Sequence, residues 1–466
     1  MSARAPLWTS DEAARATGGN ANRSWSAYGV SIDTRSIERG DLFVALHGDS
    51  RDGHGFVAAA LEKGAAAALV SRVPDGVASD APLLIVDDTQ KGLEDLGRAS
   101  RARSDAKIVA VTGSAGKTTT KEMLRVMLSA AGPVAASAAS YNNHWGVPLS
   151  LARMPREAGF GVFEIGMNHA GEIRALNAFV RPHVALVTTI APAHLEYFGN
   201  VEAIADAKAE IFEGLAPGGA AILPGDNPQT DRLKTHALGA GVKRILTFGT
   251  RTGADGRLLS AQGEGEGQKI VAELGGNRIA FSIGAAGAHI AMNAIAALLA
   301  ARELGADVKT ASQALGNFAA LKGRGARFAV GGIDIIDESY NANPASMSAA
   351  LGLLGQTRPK PLGRRIAVLG DMLELGADSA RLHAALAKDI AAAPADLVFL
   401  CGPQMAALWQ VLPERSRGAY AEKSTDLAPE LMRNLRAGDV VLVKGSFGSR
   451  MSVIIDALKL REAATA

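Results

Sequence analysis

"VTGSAGKTTTKEM", Val111–Met123, decides how the rest of the chain is read. A common phosphate-binding loop has the form Gly-x-x-x-x-Gly-Lys-Ser/Thr. Counting back from Gly116 puts Val111 where the first glycine of that pattern belongs; the glycine that is present, Gly113, stands two places later. The flanks still suit a phosphate loop. Ile108–Val111 is a short apolar run of strand type. From Thr118 onward, Met123, Val126 and Met127 recur at helical spacing. A strand-to-helix turn over Gly113–Thr119 turns backbone N–H groups and a helix dipole toward an anion. In such a turn Lys117 reaches β- and γ-phosphates, and the Thr118 hydroxyl is placed for Mg²⁺.

The same strand signature recurs along the chain. "KIVAVTG", "GVFEIG", "VALVTTI", "AAILPG", "RIAVLGD", "LVFLCG" and "VVLVKG" are short apolar runs that end in glycine, a polar residue or a turn, with helical patterns between them. They predict buried parallel strands in a doubly wound α/β architecture. Ligands collect at the carboxyl ends of such strands. At 466 residues the chain has room for roughly three domains. Polar "GRASRARSDA" (Gly97–Ala106) and basic "NFAALKGRGARF" (Asn317–Phe328) mark the divisions, giving domains 1–104, 105–320 and 321–466. Gly- and charge-rich Thr250–Ile270 reads as a surface hairpin or loop within the central domain.

Bulk properties narrow the function. A formal net charge of +2 argues against a protein that coats nucleic acid. Gly284–Ala301 is the most apolar stretch, but it carries His289 and Asn293 and suits a buried helix better than a membrane span. The N-terminus has no apolar segment of signal-peptide length. A single cysteine, Cys401, rules out a disulfide within the chain and suits a reducing cytoplasm; it reads as core.

Three residues outside the loop carry chemistry. Glu164 interrupts the apolar strand "GVFE", where a charge is costly unless paired or metal-bound. His194 follows another strand end in "APAHLEYFG", where it is as readily structural as functional. In "VEAIADAKAEIFEGL", Ile204, Lys208, Ile211 and Phe212 share one helical face. Lys208 there either snorkels outward or is a desolvated amine of depressed pKa. A neutral amine can take up CO₂ to give a carbamate, an anion able to bind Mg²⁺.

Taken together, "TGSAGKTTTK", "FEIGMNHAGEI", "APAHLEYFG" and "AKAEIF" resemble the Mur ligase family of peptidoglycan synthesis. That family's loop has the shorter T-G-x-x-G-K-T-T form, so Val111 remains in the strand. The resemblance covers the whole chain. "DTRSIERGDLFVALHGDSRDGHGF" (Asp33–Phe56) resembles the family's uracil-nucleotide-binding N-terminal domain. "DESYNANPASMSAAL" (Asp337–Leu351) and "VLGDMLELG" (Val368–Gly376) resemble the branch that adds D-alanyl-D-alanine to a UDP-N-acetylmuramoyl-tripeptide.

The resemblance implies an α/β fold of three domains. A central P-loop doubly wound ATPase domain is flanked by an α/β N-terminal UDP-binding domain and a Rossmann-like C-terminal domain that takes the dipeptide. It implies ATP and two Mg²⁺ ions as cofactors. Gly113, Ser114, Ala115, Gly116, Lys117, Thr118 and Thr119 would hold the ATP phosphates, Asn293 the adenine region, Arg324 the nucleotide across the domain boundary, and Asp337 and Glu338 the ribose. Thr118 and Glu164 would bind one metal; His194 and a carbamylated Lys208 would bind the second. Lys117, Glu164, His194 and Lys208 form the catalytic set. Thr34, Arg35, Asp52, His54, Asn142, Asn143 and His144 would lie along the muramoyl substrate, and Asn341 and Asn343 would also bind substrate. The enzyme would be a cytoplasmic monomer with no nucleic-acid or membrane partner.

The sequence departs from the family pattern in three places. Thr34 stands where serine is usual, Ile290 where asparagine is common, and Glu338 where aspartate is common. A nucleotide-driven switch or motor would share the loop but would have no use for Lys208 on an apolar face or for "SYNANP". A ligase adding a single amino acid at the preceding step would carry a D-N-P-R motif, and there is none. Asp371 and Glu374 read as caps of the helix that follows them, and His383 as a surface residue. Lys444, at the end of a buried strand, meets either substrate or a carboxylate partner.

Overall fold

The computed structural model describes residues 5–48, 51–138 and 140–465; Asp49 and Ser50 of the N-terminal motif lie outside them. All seven apolar runs are strands with parallel partners. Their side chains are buried on both faces, which is why they read as unbroken apolar runs rather than alternating ones.

Besides a two-stranded ribbon of Trp8–Thr9 and Ser26–Ala27, three larger sheets follow one another along the described residues. The first orders Asn20–Ala21, Leu83–Ile85, Ala67–Val70, Asp41–Val44 and Gly29–Ser31, parallel except for its first pair. The second has nine strands. From one edge they run Val134–Ala136, Phe160–Glu164, Lys107–Thr112, Val184–Val187, Ala220–Pro224 and Arg244–Gly249, all parallel. An antiparallel extension of Gly256–Glu264, Gly267–Leu274 and Asn277–Ile283 continues it. The Gly- and charge-rich stretch is therefore a hairpin, turning at Gly265 with φ +61° and joined to the sheet edge at Phe248–Gly249. The third sheet orders Ala326–Val330, Ile333–Glu338, Val440–Lys444, Arg365–Gly370, Leu397–Cys401 and Arg417–Ala421, parallel after an opening hairpin.

The alanine-rich stretch forms the helix Ala288–Glu303, buried along most of its length. Its small side chains allow it to pack directly on the helix Lys117–Ser129 that opens after the loop. Among the described residues no helix is long and apolar enough to cross a membrane.

Two readings of the C-terminal third change. His383 is not at the surface but fully buried: its Nε2 accepts from the Met372 amide at 2.9 Å and its Nδ1 lies 2.7 Å from the Ser379 carbonyl. It shares the inner face of its helix with Leu386 and Ile390, a 3.6-residue pattern that the polar neighbours masked. Asp371 does not cap the helix that follows it. It accepts from the Gln404 and Met405 amides, so it caps the turn after the next strand instead.

The first and second sheets are tied together by Arg101, at the end of helix Thr89–Ala102. Its buried guanidinium donates to the carbonyls of Val180 at 2.8 Å, Ser104 at 3.1 Å and Arg181 at 3.0 Å. Arg101→Met keeps the stem but leaves three carbonyls without their donor. It is expected to cost about 3 kcal/mol and to lower the melting temperature by about 5–10 °C in scanning calorimetry. A shift under a degree would show that water replaces the guanidinium.

Candidate active site

The carboxyl ends of the central strands and the facing edge of the C-terminal sheet enclose a cavity of about 630 Å³. Its floor is the loop Gly113–Thr119. Gly113 adopts φ +146°, and a Cβ there would overlap the Thr188 hydroxyl of the neighbouring strand end. Gly116, at φ +81°, is the cap residue of helix Lys117–Ser129, and a Cβ there would meet the Asn293 amide at 2.8 Å. The two glycines thus let the backbone close on a second strand and on the long alanine helix. Ser114 pins the far side, donating to the Ala191 carbonyl at 2.9 Å and accepting from its amide at 3.0 Å.

Lys117 curls over this loop, its Nζ 2.8 Å from the Gly113 carbonyl. Burial pulls its ammonium below the usual lysine range; the Glu164 carboxylate opposes that shift and the Arg324 charge adds to it. Glu164 is 1% exposed at the end of its strand and accepts from Thr118 Oγ1 at 2.7 Å and Asn142 Nδ2 at 2.8 Å. His194 borders the cavity at φ +58°. Its Nδ1 stands 2.6 Å from Glu374 Oε2, a close contact outside good hydrogen-bonding direction. Lys208 is 1% exposed and makes no hydrogen bond or ion pair among the described residues. Burial, aided by the charge of Lys117, holds it well below the usual lysine range.

The C-terminal domain closes the cavity from above. Arg324 donates to Ser140 Oγ at 3.0 Å and lies 4.0 Å over the Tyr340 ring, whose hydroxyl reaches the same Ser140 oxygen at 3.0 Å. Asn343 donates to the Ser114 carbonyl of the phosphate-type loop at 2.9 Å.

Residues 111–301 match the Mur ligase middle domain, 323–447 the Mur ligase glutamate ligase domain, and 26–127 the Mur ligase family catalytic domain. The chain is 32% identical to the UDP-N-acetylmuramoyl-tripeptide–D-alanyl-D-alanine ligase of Rickettsia prowazekii, over 97% of this chain and 99% of that one. The chain belongs to the Mur ligase family. Among solved structures it is similar to MurF from Acinetobacter baumannii, with 31% identity and a TM-score of 0.85 over 97% of this chain and 99% of that one. It is also similar to MurF ligase from Thermotoga maritima in complex with ADP, with 26% identity and a TM-score of 0.79 over 94% of this chain and 98% of that one.

Around this Mur ligase cavity the structure gathers Ser114, Ala115, Gly116, Lys117, Thr119, Asn142, Glu164, His194, Asn293, Arg324, Glu338, Asn341 and Asn343. Thr118 reaches it through Glu164. Several expected residues are placed otherwise. Asp337 does not face the cavity: its carboxylate accepts from the Gly323 amide, the Ser339 amide and the Ser339 hydroxyl. Asn343 spends its oxygen on the Ser346 amide as a helix cap. Asn143 is not in the cavity wall and accepts from the Trp145 and Gly146 amides. Thr34, Arg35, Asp52 and His54 lie apart, on the N-terminal domain. Arg35 forks onto Asp33. Asp52 accepts from the His54 ring at 2.6 Å and from Arg72 at 2.6 Å, and His54 Nε2 accepts from the Ser71 amide at 2.9 Å, so both ring nitrogens of His54 are engaged.

Residues not anticipated also border the cavity, among them His289, Thr188 and Asn227, and Lys444 joins them. Lys444 is 2% exposed, 3.3 Å from Glu338 Oε2 and 3.0 Å from the Asn341 carbonyl. Its signal in the sequence is the same as that of Glu164, a charge closing an apolar strand. Burial holds the His289 imidazole below its ordinary range, with Glu338 opposing and Lys444 reinforcing the shift; a lone histidine opening an alanine helix gave no such hint.

The partnerless Lys208 has a stability consequence of definite sign. Its folded pKa lies below the unfolded value of 10.5, so the unfolded chain binds more protons between the two. The cost is full below the folded pKa and vanishes as pH rises through 10.5. In CO₂-free buffer Lys208→Met is therefore expected to melt several degrees higher than the wild type near neutrality, with the gap closing toward pH 10.5. A pH-independent gap would mean that the amine is not desolvated.

Proposed function

We propose that this chain is an ATP-dependent ligase that joins D-alanyl-D-alanine to UDP-N-acetylmuramoyl-tripeptide, forming the pentapeptide nucleotide of cytoplasmic peptidoglycan-precursor synthesis. One observation carries the reading most directly. The segment Tyr340–Asn343, which distinguishes this branch of the family, closes onto the phosphate-type loop through Asn343 and Ser114. That contact supports a dipeptide site and a nucleotide site sharing one cavity. The working domains are 1–104 for the UDP-sugar, 105–320 for ATP and 321–466 for the dipeptide.

The loop amides and Lys117 hold the β- and γ-phosphates of ATP. Asn293 sits toward the adenine, and Glu338 toward the ribose. Among the described residues no three His, Cys, Asp or Glu converge into a ready-made metal cage. That suits Mg²⁺, which keeps waters and takes one or two protein oxygens besides phosphate. Thr118 and Glu164 would hold one ion; His194 and carbamylated Lys208 would hold the other. Bound there, Mg²⁺ supplies charge neutralisation as two anions approach.

The tripeptide carboxylate, steered by Asn142, attacks the γ-phosphorus; the bond to the β-phosphate oxygen breaks and ADP leaves. The dipeptide amine then attacks the acyl carbonyl and loses a proton, and inorganic phosphate departs. Lys117 and Arg324 face the charge that builds on the transferred group. The N-terminal residues Thr34, Arg35, Asp52 and His54 belong to the uridine end, where Asp52 and His54 shape the loop. Burial draws Lys208 toward the neutral amine that carbamate formation requires: the amine nitrogen adds to CO₂ and releases one proton, so a neutral amine becomes an anion.

Two measurements test this. With UDP-N-acetylmuramoyl-tripeptide and ATP, phosphate release is expected to depend on D-alanyl-D-alanine and to be at least tenfold slower with single D-alanine. Equal rates with a lone L-amino acid, or with no amine, would reject the ligase reading. Separately, Lys208→Ala is expected to lose turnover and to regain part of it with acetate, while Lys208→Arg stays inactive because a guanidinium cannot carry the carbamate. A near-normal Lys208→Arg enzyme would show that the site needs a cation.

A further inference from the structure

We infer that Glu374 is a positioning residue that fixes His194 from the opposite domain and so makes the metal site depend on closure of the C-terminal domain; the inference rests on the reading of His194 given above. Glu374 Oε2 approaches His194 Nδ1 to 2.6 Å across the interface. Among the described residues Nε2 has no hydrogen-bond partner, and His194 borders the cavity. A carboxylate this close to one imidazole nitrogen restrains the orientation of the ring and leaves the other nitrogen for a cation.

The arm that carries Glu374 is built to hold this contact. Glu374 adopts φ +62° and His194 φ +58°, left-handed conformations that non-glycine residues seldom take and that cost free energy unless the surroundings impose them. Beside this contact, the Glu196 amide donates to the Glu374 carbonyl at 3.1 Å. Gly376 lies so close that a Cβ there would stand 3.2 Å from Glu196 Cα. Behind Glu374 the arm is rooted in the C-terminal core. The Met372 amide donates to buried His383, the Leu373 amide donates to Ser446 Oγ, and the Ser446 amide donates to the Asp371 carbonyl at 2.9 Å. None of these groups faces the cavity, so catalysis alone does not account for them. A rigid arm ending in a carboxylate on His194 does. When the domains part, His194 loses its orienting partner, and the metal site is complete only when dipeptide and nucleotide domains are together.

Glu374→Gly tests this, because it removes the carboxylate while relieving the left-handed backbone. Binding of Mg²⁺ with a non-hydrolysable ATP analogue is followed by calorimetry, alongside the Mg²⁺ dependence of turnover and the melting temperature. Glu374→Gly is expected to raise the Mg²⁺ requirement about tenfold with melting unchanged or higher, and Glu374→Gln to fall between it and the wild type. The double variant with His194→Ala is expected to bind Mg²⁺ no more weakly than His194→Ala alone. An unchanged Mg²⁺ requirement in Glu374→Gly, with His194→Ala impaired, would overturn this inference alone. If His194→Ala also leaves Mg²⁺ binding unchanged, the assignment of His194 to the metal site fails first.

Discussion

A buried carboxylate at the end of one strand sets the geometry of the site. Glu164 is out of water, and ionised there it would be costly without donors. Its two oxygens are met by Thr118, from the first turn of the loop helix, and by Asn142, from the segment that follows the edge strand. Three pieces of chain distant in sequence are fixed to within a hydrogen bond of one another. Moving any of them would leave a buried oxygen unmet. The strand Phe160–Glu164 cannot slip past Lys107–Thr112 by a residue either, because Glu164 would then turn into the apolar layer that packs on the sheet.

Much of this was legible because the parallel sheet leaves an unusual trace. Strands buried on both faces are apolar throughout, so the charges Glu164 and Lys444 stand out at their ends. The loop and the fold class could be read for the same reason. The sequence was less informative where a side chain's partner comes from far away. His383 sits among polar helix residues and looked exposed, yet it is buried because the Met372 amide needs an acceptor. Glu374 looked like a helix cap, and its partner lies in another domain. Asp337 and Glu338 are adjacent and acidic, but strand alternation sends one into its own turn and the other into the cavity. Neighbouring residues alone do not reveal such assignments, since each depends on how two domains meet.

The glycines show a constraint of another kind. Gly113 and Gly116 carry no chemistry, but any Cβ on them would meet Thr188 or Asn293. The loop can lie flat on the sheet end and against the alanine helix only because these positions are bare. Flatness is what turns the amides outward together, toward a phosphate. It also explains the shortened spacing of the motif: Val111 remains buried in the strand, and the loop begins where that strand ends.

The electrostatics of the cavity give a physical reason for the enzyme to wait for its substrates. Lys117 and Lys208 are both drawn below the usual lysine range by burial, and Lys117 depresses Lys208 further. Lys117 rests on a neutral carbonyl, and Lys208 has no hydrogen-bonding or ionic partner among the described residues. In the free protein burying these groups costs stability that the single bond of Lys117 to a carbonyl offsets only in part, a pattern that marks functional rather than structural residues. An anionic phosphate beside Lys117 and a negative charge on Lys208 reverse both terms together. Under the proposed carbamylation each would make the other easier, since an anionic Lys208 would no longer repel Lys117. The coupling requires no movement of either backbone. It follows from burying two amines within electrostatic reach of one another, with neither held in an ion pair among the described residues.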